Sequence, residues 1–148
     1  MKAMFVPELS HPYEVFEHTA DIGLHAYGRD LPELFIHAAQ GMESLMVSPE
    51  QVQLATTQEI GVEAHDHLSL LIAWLDELIF LFDTQFFLPR TFEMLDFSET
   101  HLRARATGEA YDAQRHEMSS AIKAVTWHEA AITRDDNSRY QARIIFDI

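Results

Sequence analysis

Residues 22–46 read IGLHAYGRDLPELFIHAAQGMESLM, and within this stretch the hydrophobic period changes from two to nearly four. Residues 22–27 alternate between the two faces expected of a strand. From Leu31 to Met46 the apolar residues recur every three or four positions, which predicts a helix. Asp30, followed three residues later by Glu33, resembles a capping box at the start of that helix. The stretch therefore predicts a strand followed by a helix.

The same two periods occur in the rest of the chain. A second helix follows Asp66, where apolar residues again recur every three or four positions. Other runs predict strands at residues 13–16, 101–107, 122–127 and 140–146, and two more strands are expected within 52–63 and 86–97. We therefore expect a single α+β domain of two layers, with two principal helices packed on one face of a mainly antiparallel sheet.

Length and composition agree with one domain. The chain has 148 residues, of which 47% are hydrophobic and 23% charged, so it can bury a sizeable core. It contains no cysteine, which excludes disulfides, thiol catalysis and cysteine-bound zinc or iron–sulfur clusters. We find no secretory leader pattern and no uncharged apolar stretch of membrane-spanning length. We therefore expect a cytoplasmic protein that does not enter a membrane.

The charge is acidic and unevenly distributed. The chain carries 24 acidic and 10 basic side chains, a formal net charge of −14. The whole excess lies in residues 1–102, whereas residues 103–148 are neutral overall. Direct high-affinity binding to nucleic acid usually needs a basic face and is not expected here. A basic protein partner or a cation suits the acidic body, although solubility alone would also explain it.

Three carboxylates are candidates for one cation site. Asp147 directly follows the last predicted strand, and the main-chain carboxylate of Ile148 comes next. With Asp21, which precedes the strand of residues 22–27, they would make a hard-cation site for calcium or magnesium. For Asp21, the spacing alone also fits an ordinary turn in which polar side chains bind backbone donors.

Six further residues are functional candidates without an assigned role: His18, Glu109, Asp112, His116, Lys123 and His128. His18 lies in the same turn as Asp21. Glu109, Asp112 and His116 form a polar cluster after residues 101–107. The last two project from a largely apolar strand, where a surface lysine and a structural histidine are the alternative interpretation. The sequence has no nucleophile elbow, phosphate-binding loop or dinucleotide-binding glycine motif, so it gives little support for a self-sufficient enzyme.

A series of motifs, in order along nearly the whole chain, resembles the archease family. They are FEHTADIG (16–23), AYG (26–28), LPELF (31–35), WLDELIFLFD (74–83), IKAVTWH (122–128) and FDI (146–148). Where the family usually has Tyr, this chain has Trp127, so the tyrosine hydroxyl group is absent here. On this resemblance, residues 13–148 form an archease-like domain and residues 1–12 an N-terminal extension.

The resemblance implies an accessory protein and not an enzyme. Archeases assist the RtcB-type RNA ligase, which joins RNA ends bearing a 2′,3′-cyclic or 3′-phosphate to a 5′-hydroxyl. They promote guanylylation of the ligase's active-site histidine and its multiple turnover in tRNA splicing and RNA repair. The family's metal site carries over to Asp21, Asp147 and the terminal carboxylate of Ile148. It implies a divalent cation, calcium in the first place, with magnesium or manganese as alternatives.

Two other functions stay open at this point. A small metal-dependent hydrolase would use a cation on Asp21 and Asp147 and either His18 or His116 as general base. A chaperone-like module would bind a partner without using these carboxylates. Turnover by the isolated protein would favour the hydrolase, and full function after Asp21→Ala would favour the chaperone.

Overall fold

Seven strands and two helices follow one another along the part of the chain that the structure, a computed structural model, describes: residues 12–18 and 21–148. They are β1 (Tyr13–His18), β2 (Asp21–Gly28), α1 (Leu31–Met46), β3 (Thr56–Glu63), α2 (His67–Gln85), β4 (Phe87–Phe97), β5 (His101–Ala110), β6 (Ala124–Arg134) and β7 (Tyr140–Asp147). One turn of 3₁₀ helix, Pro49–Gln51, follows α1. Residues 1–11 of the predicted extension, and residues 19–20 of the FEHTADIG motif, lie outside the described residues.

The strands form two antiparallel sheets. The first sheet has the order β1–β2–β7–β6, and the second sheet has the order β3–β5–β4. The predicted α+β class with antiparallel strands and two principal helices is confirmed. The strands belong to two sheets, whereas the sequence analysis expected one. The alternation of side chains shows which of them face a core, but it does not show which strands pair.

Both helices begin at an aspartate that caps them. The Asp30 side chain accepts a hydrogen bond from the N–H of Glu33 at 2.9 Å, which confirms Asp30 as the cap, whereas the Glu33 carboxylate accepts in return from the N–H of Arg29 at 2.8 Å. Asp66 and Ser69 form a reciprocal capping box: the N–H of Ser69 donates to the Asp66 carboxylate at 2.8 Å, and the N–H of Asp66 donates to the Ser69 hydroxyl at 3.0 Å. These bonds satisfy N–H groups that the helix itself leaves without a partner.

One hydrophobic core joins the helices to both sheets. α1 contacts β2 of the first sheet and β4 of the second, and α2 contacts β6 of the first sheet and β3 of the second. Trp74 of α2 is fully buried, and its indole N–H donates to the carbonyl oxygen of Phe35 in α1 at 3.0 Å. Within the described residues, neither helix is long and apolar enough to cross a membrane.

β6 departs most from its predicted extent. The sequence predicts a strand over residues 122–127, whereas the strand begins at Ala124 and continues to Arg134. Its pairing with β7 is interrupted between Thr126 and Ala131, which explains why a single alternating run does not reveal the full strand. The two strands expected within residues 52–63 and 86–97 are present as β3 and β4.

Candidate cation site

One end of the first sheet brings Asp21 and Asp147 side by side. Asp21 is the first residue of β2, Asp147 is the last of β7, and the two are direct partners in the β2–β7 pair. Directly opposed residues of an antiparallel pair project to the same face, with Cβ atoms about 4.5–5.5 Å apart. The structure therefore brings together the two aspartates that the sequence assigns to a common site.

The row of paired residues continues into both neighbouring strands. His18 of β1 pairs with Asp21, and Ala124 of β6 pairs with Asp147. The N–H of Lys123 donates to the carbonyl oxygen of Asp147 at 2.8 Å, which fastens the end of β7 to the residue before β6. The Lys123 side chain is exposed, and the side chain of His18 lies outside the described residues. Functional roles for these two side chains stay predictions.

The two aspartates lie on the outer face of the first sheet. Successive strand residues project to opposite faces, and Leu24 and Phe146, which lie three residues from Asp21 and one residue from Asp147, are fully buried in the core. The Asp147 side chain is exposed and that of Asp21 is half-buried, so a solvated ion can reach them. Carboxylate oxygens are the donors that calcium and magnesium prefer, so this pair fits the predicted hard cation.

The described residues contain no group of three or more His, Asp or Glu side chains that could hold a metal ion. The predicted ligand set has two such side chains, Asp21 and Asp147, and its third member is the main-chain carboxylate of Ile148. Ile148 directly follows Asp147, so it lies at the same end of the sheet. The complete three-carboxylate site stays a prediction.

Phe16 covers the outer face next to the aspartates. Gly23 is the first residue after Asp21 on this face, and a Cβ there would lie 2.0 Å from Cζ of Phe16. The ring therefore occupies the space that any side chain at Gly23 would need. The Arg143 guanidinium lies 4.5 Å from the centroid of the ring, a cation–π distance, and also pairs with the Glu129 carboxylate at 2.7 Å.

His25 extends this face and is absent from the predicted site residues. Nη1 of Arg143 lies 3.2 Å from Nε2 of His25, and the Phe16 ring packs edge-on against the imidazole with centroids 4.9 Å apart. Burial and then the positive charge of Arg143 lower the pKa of His25, which favours a neutral ring. The available signal was its place on the open face of the predicted strand, which did not distinguish it from an ordinary surface histidine.

The interruption in β6 lets Glu129, the neighbour of His128, contact the same face. Four residues, 127–130, lie opposite the single β7 residue between the paired positions. Within this bulge Glu129 adopts a left-handed backbone conformation with φ of 54°, and Nε2 of His128 lies 3.2 Å from its carboxylate. Trp127 is 59% exposed. Because Glu129 also pairs with Arg143 of β7, the bulge is tied to the outer face.

Glu109, Asp112 and His116 come together in a second cluster, at the end of β5 and in the loop after it. Nε2 of His116 lies 2.8 Å from Oε2 of Glu109, and the N–H of Asp112 donates to Nδ1 of His116 at 2.9 Å. Since Nδ1 accepts, the ring proton lies on Nε2 and is donated to Glu109. Both ring nitrogens are thus engaged, which argues against His116 as the general base of a hydrolase.

The Glu109 carboxylate is held by further donors. The Arg115 guanidinium donates to both of its oxygens, and the N–H of Gln53 donates to Oε2 at 2.7 Å. These bonds, that of Arg115 first, lower the pKa of Glu109 to about 2. Glu109 and His116 are buried, and the cluster fastens the loop after β5 to the segment after α1. The contacts support a structural role, and a direct role in activity stays a prediction.

Asp76 of α2 is a polar residue near β6 that the sequence did not single out as functional. Burial raises its pKa, and a hydrogen bond from the N–H of Val125 partly opposes this effect. Val125 is one residue from Ala124, the partner of Asp147. Asp76 thereby helps to hold the start of β6. Its position off the apolar face of the predicted helix was the only signal.

Residues 13–148 match the family model described as the Archease protein family. The chain belongs to the archease family. This confirms the resemblance carried by the motifs. A curated protein archease from Methanothermobacter thermautotrophicus is 38% identical, over 92% of this chain and 98% of the relative. Another, from Sulfurisphaera tokodaii, is 35% identical, over 84% of this chain and 91% of the relative.

Two solved structures share the archease fold. A solution structure of Methanobacterium thermoautotrophicum protein 1598 superposes with a TM-score of 0.80 at 37% identity, covering 93% of this chain and 99% of that one. A crystal structure of an archease from Thermotoga maritima, described as a possible chaperone, gives a TM-score of 0.59 at 20% identity, covering 91% of this chain and 96% of that one. The second likeness shows the fold alone.

Proposed function

We propose that this protein activates an RtcB-type RNA ligase, promoting guanylylation of the ligase and its multiple turnover in tRNA splicing and RNA repair. Membership of the archease family supports the proposal. The observation that links the proposed activity to a particular site is the direct pairing of Asp21 with Asp147 on the outer face of the first sheet. In this proposal the protein is an activator and has no catalytic residue of its own.

The two aspartates provide carboxylate oxygens from neighbouring strands, and the Lys123 N–H holds the Asp147 backbone in place. We propose that they hold a divalent cation together with the terminal carboxylate of Ile148, calcium being preferred to magnesium or manganese. When bound, such an ion neutralises charge in nucleotidyl transfer. The rigid β2–β7 ladder fixes the separation of the two aspartates before the partner arrives, which avoids an ordering cost on binding.

The acidic charge of the chain supports docking by electrostatic attraction. A net charge of −14 would favour the basic nucleic-acid channel of a ligase over free nucleic acid. The proposed partner and the lack of cysteine fit a cytoplasmic location. We expect the association with the ligase to weaken as salt rises, because screening acts mainly on solvent-exposed charges. Association that is independent of salt would contradict electrostatic docking.

The deciding experiment is guanylylation of a cognate ligase with and without this protein. We expect stimulation by the wild type, loss of stimulation in Asp21→Ala, and loss in a variant extended beyond Ile148. Asp136→Ala, which removes the same charge from an exposed turn, is the matched control and should stimulate fully. Equal stimulation by all variants would place the working surface elsewhere, and no stimulation by the wild type would contradict the proposal.

A chaperone-like role is the second candidate, because large apolar side chains are exposed. Among the described residues they include Phe80, Phe86 and Trp127, which are 55%, 56% and 59% exposed. Such side chains are typical anchors of protein interfaces. Under this candidate, Trp127→Ser would reduce stabilisation of the ligase against heat, whereas Asp21→Ala would leave it intact. A loss in Asp21→Ala with no loss in Trp127→Ser would favour the activator.

A further inference from the structure

β3 forms an unpaired edge of the second sheet. Among the described residues it pairs with β5 on one side and with no strand on the other. Its eight residues, Thr56–Glu63, pair with β5 in one unbroken register and include no proline. β4, at the opposite edge of this sheet, contains Pro89 and two interruptions in its pairing, features that hinder the addition of a strand. The structure thus leaves β3 as a regular edge that can accept one.

The backbone groups that point outward from this edge belong to the odd-numbered residues of β3. The N–H of Ala64 donates to the carbonyl oxygen of Thr100 at 2.8 Å, which continues the β3–β5 register by one residue pair. Hydrogen-bonded pairs alternate along an antiparallel ladder, so the even-numbered residues of β3 bond to β5. The outward-pointing residues are all exposed: Thr57, Glu59, Gly61 and Glu63.

Exposed apolar side chains lie close to this edge. Leu54, two residues before β3, is 54% exposed. Phe86 is 56% exposed and directly follows Gln85, whose amide oxygen accepts a hydrogen bond from the Gln58 side chain of β3 at 3.0 Å. A protein strand placed against β3 can therefore bond to its backbone and also cover apolar surface.

Charge selects one register for the pairing of two copies. A twofold axis makes the two β3 strands antiparallel and places one residue opposite itself. With Ile60 on the axis, Thr57 faces Glu63 of the second copy. Glu59 then faces Gly61, so no two carboxylates are directly opposite. With residue 59 or 61 on the axis, Glu59 would face either itself or Glu63, and like charges directly opposite destabilise a strand pair.

We propose that two copies of this chain associate through β3, with Ile60 on the twofold axis. Two three-stranded sheets then form one continuous sheet of twice that width, and hydrogen bonds between the copies join all the outward-pointing residues of β3. β3 belongs to the second sheet and the aspartate pair to the first, so the proposal does not depend on the proposed ligase activation.

The charge of the chain opposes this association at long range but little at the edge itself. Each copy has a formal net charge of −14, so two copies repel each other through the solvent. At β3, Oε1 of Glu59 lies 3.3 Å from Nη1 of Arg103, and Oε2 lies 3.8 Å from Nη2 of Arg105. These ion pairs compensate the charge next to the axis. We therefore expect salt to strengthen the dimer, because it screens the long-range repulsion.

Sedimentation equilibrium of the full-length protein at increasing concentration measures the association. We expect a reversible dimer of the wild type. Gly61→Pro removes one outward N–H from each copy and no bond to β5, so it should weaken the dimer by about tenfold or more. Gly61→Ala keeps this N–H, and the nearest atom to its Cβ would be 3.8 Å away. It is the matched control and should dimerise as the wild type does.

Thr57 provides a second test if Gly61→Pro does not fold. Thr57→Lys sets an opposite charge against Glu63 of the second copy and should strengthen the dimer, whereas Thr57→Glu sets a like charge there and should weaken it. Both variants lose the 3.0 Å hydrogen bond between Thr57 and Thr107, so they differ from each other in charge. Asn137→Lys and Asn137→Glu make the same changes of net charge in an exposed turn and should dimerise nearly as the wild type does.

Three results would overturn the proposal. The first is a wild type that stays monomeric at millimolar concentration. The second is a dimer that is equally strong in the wild type and in folded Gly61→Pro, or in Thr57→Lys and Thr57→Glu, because the copies would then meet at another surface. The third is an association that weakens as salt rises, because attraction between charges would then hold the copies together.

Discussion

Gly23 is a residue whose missing side chain shapes the outer face of the first sheet. The Phe16 ring lies where a Cβ of residue 23 would be, and the Arg143 guanidinium packs over the same ring. The requirement is for close approach and not for an unusual backbone conformation, because Gly23 does not have positive φ. This explains the glycine that follows Asp21 by two positions in the FEHTADIG motif.

We expect Gly23→Ala to destabilise the fold by about 1–3 kcal/mol, because the ring of Phe16 must move away from the sheet. Urea unfolding measures the change. Gly61→Ala is the matched control in another strand, where the nearest atom to an added Cβ is 3.8 Å away. The control should be neutral or slightly stabilising. An equal effect of the two substitutions would contradict the role given to Phe16.

Glu109 should make the fold sensitive to acid. Its pKa in the folded protein, about 2, is below the ordinary value, with the Arg115 bond as the main cause. Its contribution to stability is therefore complete above the ordinary carboxyl pKa and is lost as the pH falls from about 5 towards 2. Glu33, whose pKa is likewise lowered to about 2 by Arg29, adds to the same trend.

We expect Glu109→Gln to cost about 1.5 kcal/mol at neutral pH, the low end for bonds to a charged group, because Arg115 is partly exposed. The difference from the wild type should shrink as the pH is lowered. Urea titrations at several pH values measure it. Glu117→Gln removes the same charge at an exposed position and should change little. A constant difference at all pH values would contradict the assignment to ionised Glu109.

At the scale of secondary-structure elements, the joint between α1 and α2 depends on Trp74. We expect Trp74→Phe to destabilise the fold by about 1–3 kcal/mol, because it removes the hydrogen bond to Phe35 and leaves unfilled volume in the core. Thermal or urea unfolding gives the value. Trp127→Phe, at an exposed position, should stay within about 0.5 kcal/mol of the wild type.

The elements also show what the sequence can and cannot predict. The helix from Leu31 was predictable because its apolar face and its aspartate cap give two independent signals. The pairing of Asp21 with Asp147 followed from their places at strand ends, but the register that opposes them is a long-range property. The burial of Glu43 in α1 was not predictable from the sequence, because a glutamate in an amphipathic helix is ordinarily exposed. Its burial depends on the segments that pack around α1.

At the scale of the whole molecule, both helices contact both sheets, so the sheets should unfold together. In the Trp127→Phe variant the tryptophan fluorescence comes from the buried Trp74 alone, and it reports on the core. We expect its urea transition to coincide with that of the far-ultraviolet circular dichroism, as for a two-state domain. A fluorescence transition that precedes the loss of strand and helix signal would show that the sheets separate first.

The bulge in β6 has a consequence for how copies of the protein behave in a crowded solution. β6 is an edge strand of the first sheet, and an edge strand presents backbone groups to which a strand of another copy can add. Residues 127–130 break the regular ladder there, and the left-handed Glu129 turns the chain out of line. The same irregularity that shapes the outer face thus protects this edge against edge-to-edge aggregation.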